Sequence, residues 1–166
     1  GGRHPWMDVA LTTATTLVGV ESKRYEPFRP GKTTVFSEAY DSRDWGQGMA
    51  GYDALRAALS DGRLTYRHLD AAQLVKHAYG LRTQAQKRAR GAVLVYLHAA
   101  PAAWANGKPL DPAAIRAKLD AAAKALPDAL NPNDFNGVDA NGGSVLNTVI
   151  GVVEGGKLKG VRLKDL

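Results

Sequence analysis

Two apolar arms separated by a threonine-rich segment open the chain. Residues 7–11 read Met-Asp-Val-Ala-Leu, residues 12–16 hold the threonines, and residues 17–23 read Leu-Val-Gly-Val-Glu-Ser-Lys. The pattern predicts a β-hairpin, in which side chains alternate between faces with period two. Antiparallel pairing about a turn at Ala14 and Thr15 sets Val9 opposite Val20 and Leu11 opposite Val18, placing four apolar side chains on one side of the ribbon. The other side then carries Asp8 opposite Glu21, with Lys23 emerging beside them.

Further along, the apolar period changes. Residues 35–40 predict a short strand, followed by a polar loop in which Asp41 and Asp44 are candidates for helix capping or for approach to a metal. Met49, Tyr52, Leu55, Ala58 and Leu59 recur at helical spacing, so a helix is expected over 49–59, ending at Asp61-Gly62. Asp70 predicts the N-cap of a second helix running from Ala71 toward Arg90, with a break at Gly80. The near-continuous apolar run 92–97 predicts a strand covered on both faces. A helix over 111–126, opened by Asp111-Pro112, and a final hairpin of 145–153 with 157–163 around Glu154-Gly155-Gly156 complete the pattern. Together these elements predict one α/β domain with a small mixed central sheet flanked by helices.

Composition narrows the chemistry. The 166 residues include no cysteine, which removes disulfides, thiolate metal sites and cysteine nucleophiles together. No Gly-x-Ser-x-Gly elbow and no His-x-x-x-His pair occurs, and His68, His77 and His98 read as surface or core residues. Gly31-Lys32-Thr33 resembles the end of a phosphate-binding loop, but Glu26 stands where that loop needs glycine, so a P-loop NTPase is excluded. No apolar run approaches the length of a membrane span, and no signal pattern opens the chain, so a cytoplasmic protein without membrane contact is expected. Net charge is +6, and no acidic residue falls between Ala71 and Leu110, where Lys76, Arg82, Lys87, Arg88, Arg90 and Lys108 lie. That distribution favours a polyanionic partner.

The hairpin carries the candidate chemistry. Two carboxylates about 5 Å apart repel by roughly 3 kcal/mol at an effective dielectric near 20. Lys23 offsets part of that repulsion, and a hard divalent ion with oxygen ligands, such as Mg²⁺, would offset the rest. Asp8, a hairpin-length gap and Glu21-Ser22-Lys23 resemble the signature of the PD-(D/E)XK nuclease superfamily, which has the restriction-endonuclease-like fold. The family's proline stands directly before the aspartate, whereas Pro5 here stands three residues ahead. The resemblance covers residues 7–100, including the expected order of helix and buried strand after the hairpin.

The resemblance implies a restriction-endonuclease-like core and metal-dependent hydrolysis of DNA, rather than RNA, with Mg²⁺ or Mn²⁺ as cofactor. Asp8 and Glu21 become metal ligands, Lys23 the catalytic lysine, and Gln73, on the helix face shared with Lys76, an additional site residue. Arg24, Arg29 and Lys32 flank this face and are candidate phosphate contacts, as are Lys76, Lys87, Arg88 and Arg90 on the following helix. The family places a helix and a strand ahead of the aspartate, so an N-terminal part is expected to be missing. Oligomeric state is left open, a homodimer included. Two other classes stay open: an inactive nucleic-acid-binding module of the same fold, and a structural or partner-binding domain whose charged hairpin is a solvated edge.

Overall fold

The computed structural model describes residues 6–29, 36–46, 48–99, 101–114, 117–118, 146–154 and 157–159. Its first hairpin is set by threonine chemistry. Thr13 Oγ1 accepts from the backbone N–H of Thr16 at 2.9 Å and of Thr15 at 3.3 Å, while Thr13 N–H donates to Thr16 O at 2.9 Å. A hydroxyl thus closes the turn without the usual Asn-Gly pair. Strands β1 (Val9–Thr12) and β2 (Thr16–Lys23) pair antiparallel, with Val9 opposite Val20 and Leu11 opposite Val18, the register expected from the pattern.

On its other side β2 pairs in parallel with β3 (Gly91–Ala99), aligning Thr16 with Gly91 and Lys23 with His98. β3 pairs in parallel with β4 (Leu146–Glu154), and β5 (Lys157–Lys159) closes the row antiparallel. The result is a mixed five-stranded sheet in the order β1-β2-β3-β4-β5. β3 is central and parallel to both neighbours, which accounts for its unbroken apolar sequence. The expected C-terminal hairpin is present as β4 and β5, although its turn at 155–156 lies outside the described residues.

A parallel pair needs a crossover connection, and helices α1 (Ala50–Ser60) and α2 (Ala71–Lys87) lie within it. Asp70 Oδ1 caps α2 by accepting from Gln73 N–H at 2.9 Å. The helix runs without a break through Gly80, contrary to the sequence expectation. Its neighbours Tyr79 and Leu81 are buried in the core, and that packing outweighs the roughly 1 kcal/mol helix cost of one glycine. Leu74, Val75, Ala78 and Ala85 of α2 join Leu55 of α1 and Leu17, Leu94 and Tyr96 of the sheet in one cluster.

Two further expectations change. The strand predicted over 35–40 is a single 3₁₀ turn at Glu38–Tyr40, with residue 35 outside the described residues. Its rings pack inward instead of pairing in a sheet: Tyr40 stacks on Trp45 and Tyr79 and meets Phe36 edge-on. Of the helix expected over 111–126, residues 112–114 and 117–118 are helical and the rest lies outside the described residues. Among the described residues no helix is long and apolar enough to cross a membrane.

The hairpin's two faces also divide differently from a simple oily and polar pair. A Cβ on Gly19 would meet Met7 Sδ and would lie 3.4 Å from Leu81 Cδ1, so α2 packs on the face that bears Leu17, Gly19 and Glu21. Val9 and Leu11, on the other face, remain 45% and 54% exposed. The charged face of the hairpin is therefore the one pressed against the helix. Replacing the α2 cap, Asp70→Ala, is expected to lower stability by about 0.5–2 kcal/mol. The check is a urea titration in which the midpoint falls while the slope stays unchanged.

Candidate active site

Strand direction and helix direction together assemble the site. α2 returns antiparallel to β2, so its first turn lies over the carboxyl end of that strand. Glu21, two residues before the end of β2, is 3% exposed. Its Oε1 accepts from Lys23 Nζ at 2.5 Å and from Gln73 Nε2 at 2.7 Å. Glu21 and Lys23 share a face because they are two apart on a strand, and Gln73 and His77 share one because they are four apart on a helix.

His77 completes the enclosure. Its ring is 1% exposed, and Nε2 lies 3.1 Å from Glu21 Oε2. The pair falls short of an aligned hydrogen bond, which leaves Glu21 Oε2 a buried oxygen with no directed donor. Burial pushes the Glu21 carboxyl up. The contacts with His77 and Lys23, together with their charges, outweigh it and hold the group below its ordinary 4.5. The carboxylate is thus ionised at neutral pH despite being enclosed.

Asp8 precedes β1 rather than extending it. Its Oδ2 accepts from Ser22 N–H at 2.7 Å, which ties it to the backbone between Glu21 and Lys23. Asp8 and Glu21 are the carboxylates on which a hard divalent ion would draw, since such an ion takes carboxylate oxygens and fills its shell with water. Among the described residues no group of three His, Cys, Asp or Glu side chains forms a ready metal cage.

The remaining candidates are scattered. Arg24 lies over the Tyr25 ring and Arg29 over the Trp104 ring, just beyond the end of β2. Lys76 Nζ sits 5.1 Å from the centroid of Phe36. Lys87 closes the other end of α2, about 21 Å from Gln73 at 1.5 Å per residue. Arg88 and Arg90 follow it, beside the hairpin turn, where Gly91 N–H donates to Thr15 O. These three do not join the Glu21 cluster. Lys32 lies outside the described residues. Asp41 pairs with Arg56 of α1, and Asp44 accepts from Gly46 N–H within its own loop.

His77 has no role in the sequence reading, although its spacing from Gln73 was the signal that could have found it. His68 Nδ1 contacts Pro27 O at 2.5 Å, and His98 is buried on β3 opposite Lys23. Compared with protein-family profiles, curated proteins and solved structures, the chain matches none.

The direction of the Glu21 shift sets a pH dependence. A carboxyl held below its unfolded value contributes stability that is complete above about 4.5 and is lost as pH falls through the folded value. Glu21→Gln is therefore expected to melt below the parent at neutral pH. The gap between the two should narrow as pH drops under about 4.5, as read by thermal melts across an acid series.

Proposed function

We propose that this chain is a metal-dependent nuclease of the PD-(D/E)XK type, hydrolysing DNA phosphodiester bonds from a restriction-endonuclease-like core. The observation that carries the reading is the convergence on one buried carboxylate of Lys23, two residues away, and Gln73, fifty-two residues away. A strand lysine and a helix glutamine meeting an acid at the carboxyl end of a strand is the arrangement that the motif resemblance implies. Net basic charge and the acid-free stretch 71–110 support a polyanionic substrate.

Asp8 and Glu21 would hold Mg²⁺, with Mn²⁺ as a substitute. Such an ion lowers the pKa of bound water and stabilises charge on a phosphate. The residues of the chain supply the rest. Lys23 offers an ammonium to orient the attacking water and to offset charge developing on the scissile phosphate. Gln73 fixes the rotamer of Glu21 by donating to Oε1, and His77 faces Oε2 from the next turn of the helix. Asp8, tied to Ser22 N–H, keeps its carboxylate beside the same strand segment.

The reading of the hairpin as a solvated edge is disfavoured, because β2 is paired on both sides and Glu21 is buried. An inactive binding module of the same fold is favoured by one feature, the full engagement of Glu21 Oε1 by Lys23 and Gln73. Cleavage separates the two. Supercoiled plasmid and single-stranded DNA should be cut with Mg²⁺ or Mn²⁺ and left intact in EDTA. Glu21→Ala and Lys23→Ala should each lower the rate about 100-fold or more, and Gln73→Ala about 10- to 100-fold. Intact DNA with every metal, alongside retained binding, would select the module; cutting that survives both Glu21→Ala and Lys23→Ala would remove this site from the chemistry.

A further inference from the structure

Because β2 and β3 are parallel, the segments that follow them leave the sheet at the same edge, the edge where Lys23 lies. Residues 24–29 turn through a 3₁₀ helix at Glu26–Phe28. Residues 101–110 form a tight loop held by Trp104 N–H to Lys108 O at 2.8 Å and Leu110 N–H to Ala102 O at 2.8 Å. Their aromatic rings meet: Tyr25 stacks on Trp104 with centroids 5.4 Å apart, and Phe28 meets the same indole edge-on at 6.4 Å. All three rings are half-buried.

Two exposed guanidiniums lie on these rings. Arg24 Cζ is 5.1 Å from the Tyr25 centroid, and Arg29 Cζ is 5.7 Å from that of Trp104. Among the described residues neither pairs with a carboxylate. Glu26, the acid between them, turns its Oε2 onto the backbone N–H groups of Arg24 and Tyr25 instead. A folded core does not require uncompensated cations held over a partly open aromatic cluster. Nucleic acid matches them, since guanidinium binds phosphate and indole stacks on a base.

We propose that Tyr25, Phe28 and Trp104, with Arg24 and Arg29, seat a single-stranded segment of DNA leading into the Glu21–Lys23 site; the inference rests on the nuclease reading and adds a substrate class to it. Base faces in a duplex are already stacked on their neighbours, so only an unpaired strand offers one to the Trp104 ledge. Arg24 and Arg29 hold the phosphates on either side, and Lys23 lies one residue upstream of Arg24. The ledge therefore favours frayed ends, flaps or single strands over continuous duplex.

The test is a binding measurement on the whole chain in EDTA, where cleavage is silent. Anisotropy of a labelled oligothymidylate is compared with that of a duplex of equal length. Trp104→Ala should weaken single-strand binding about 5- to 150-fold and leave duplex binding near the parent, while Trp104→Phe restores most of the loss. Arg24→Ala with Arg29→Ala should reduce the salt slope for the single strand by about 1.4, about 0.7 for each phosphate. Equal single-strand binding by parent and Trp104→Ala, or equal losses on single strand and duplex, would overturn the ledge. Should Trp104→Ala fail to fold, an unchanged salt slope in the exposed arginine pair overturns it instead. Plasmid cleavage in Mg²⁺ is scored separately: a chain that binds through the ledge but never cuts refutes the nuclease reading alone, and one that cuts with Trp104 inert refutes the ledge alone.

Discussion

Enclosing an ionised carboxylate is the constraint around which this molecule is arranged. A charge taken out of water costs several kcal/mol unless opposite charge and directed donors replace its hydration. Glu21 is 3% exposed, and its replacements come from three distances along the chain: Lys23 on the same strand, and Gln73 and His77 on the first two turns of α2. The helix contributions exist only if α2 begins over the carboxyl end of β2. That placement in turn depends on the Asp70 cap at its start and on a β3 that runs parallel to β2.

The helix is held at that height by its aromatic packing. Trp45 stacks on Tyr79 with centroids 4.0 Å apart, and the Tyr79 hydroxyl donates to Asp53 on α1 at 2.5 Å. Burial and the Asp53 carboxylate together push the Tyr79 phenol far above its usual range, so the hydroxyl keeps its proton. Loop, α1 and α2 are thereby tied through one residue, two positions beyond His77. Rigid packing of this kind holds a donor such as Gln73 within hydrogen-bond distance of its partner.

Parallel strands also give the molecule two unlike ends. At the carboxyl end of β2 and β3 lie the buried acid, its lysine, and the loops that bring Tyr25 and Trp104 together. At the amino end lie the threonine turn and the basic run Lys87, Arg88 and Arg90. In open α/β sheets ligands bind beyond the carboxyl ends of strands, because those loops are free to vary while the sheet stays rigid. The basic run at the far end instead complements the C-terminal dipole of α2.

The hairpin register, the cap at Asp70, the buried character of β3 and the shared face of Gln73 and His77 were all legible in the chain, because each depends on a local period. Alternation by two fixes which residues of β1 and β2 oppose, and the helical period fixes which residues of α2 align. What those periods leave undetermined is which side of an element becomes interior. Either face of the hairpin satisfies the same alternation, and only the packing of α2 turned the side bearing Leu17, Gly19 and Glu21 inward and left Val9 and Leu11 exposed. His77 became a partner of Glu21, and Trp104 a partner of Tyr25, through contacts between residues dozens of positions apart. The sequence by itself determined the first hairpin and its register, the two helices, the buried strand, and the acid, lysine and glutamine of the candidate site, but not the 3₁₀ turn at Glu38–Tyr40 or the unbroken course of α2. Tertiary structure alone decided the burial of that acid and the meeting of the two loops, because burial is a property of the neighbour that packs against a face and not of the face itself.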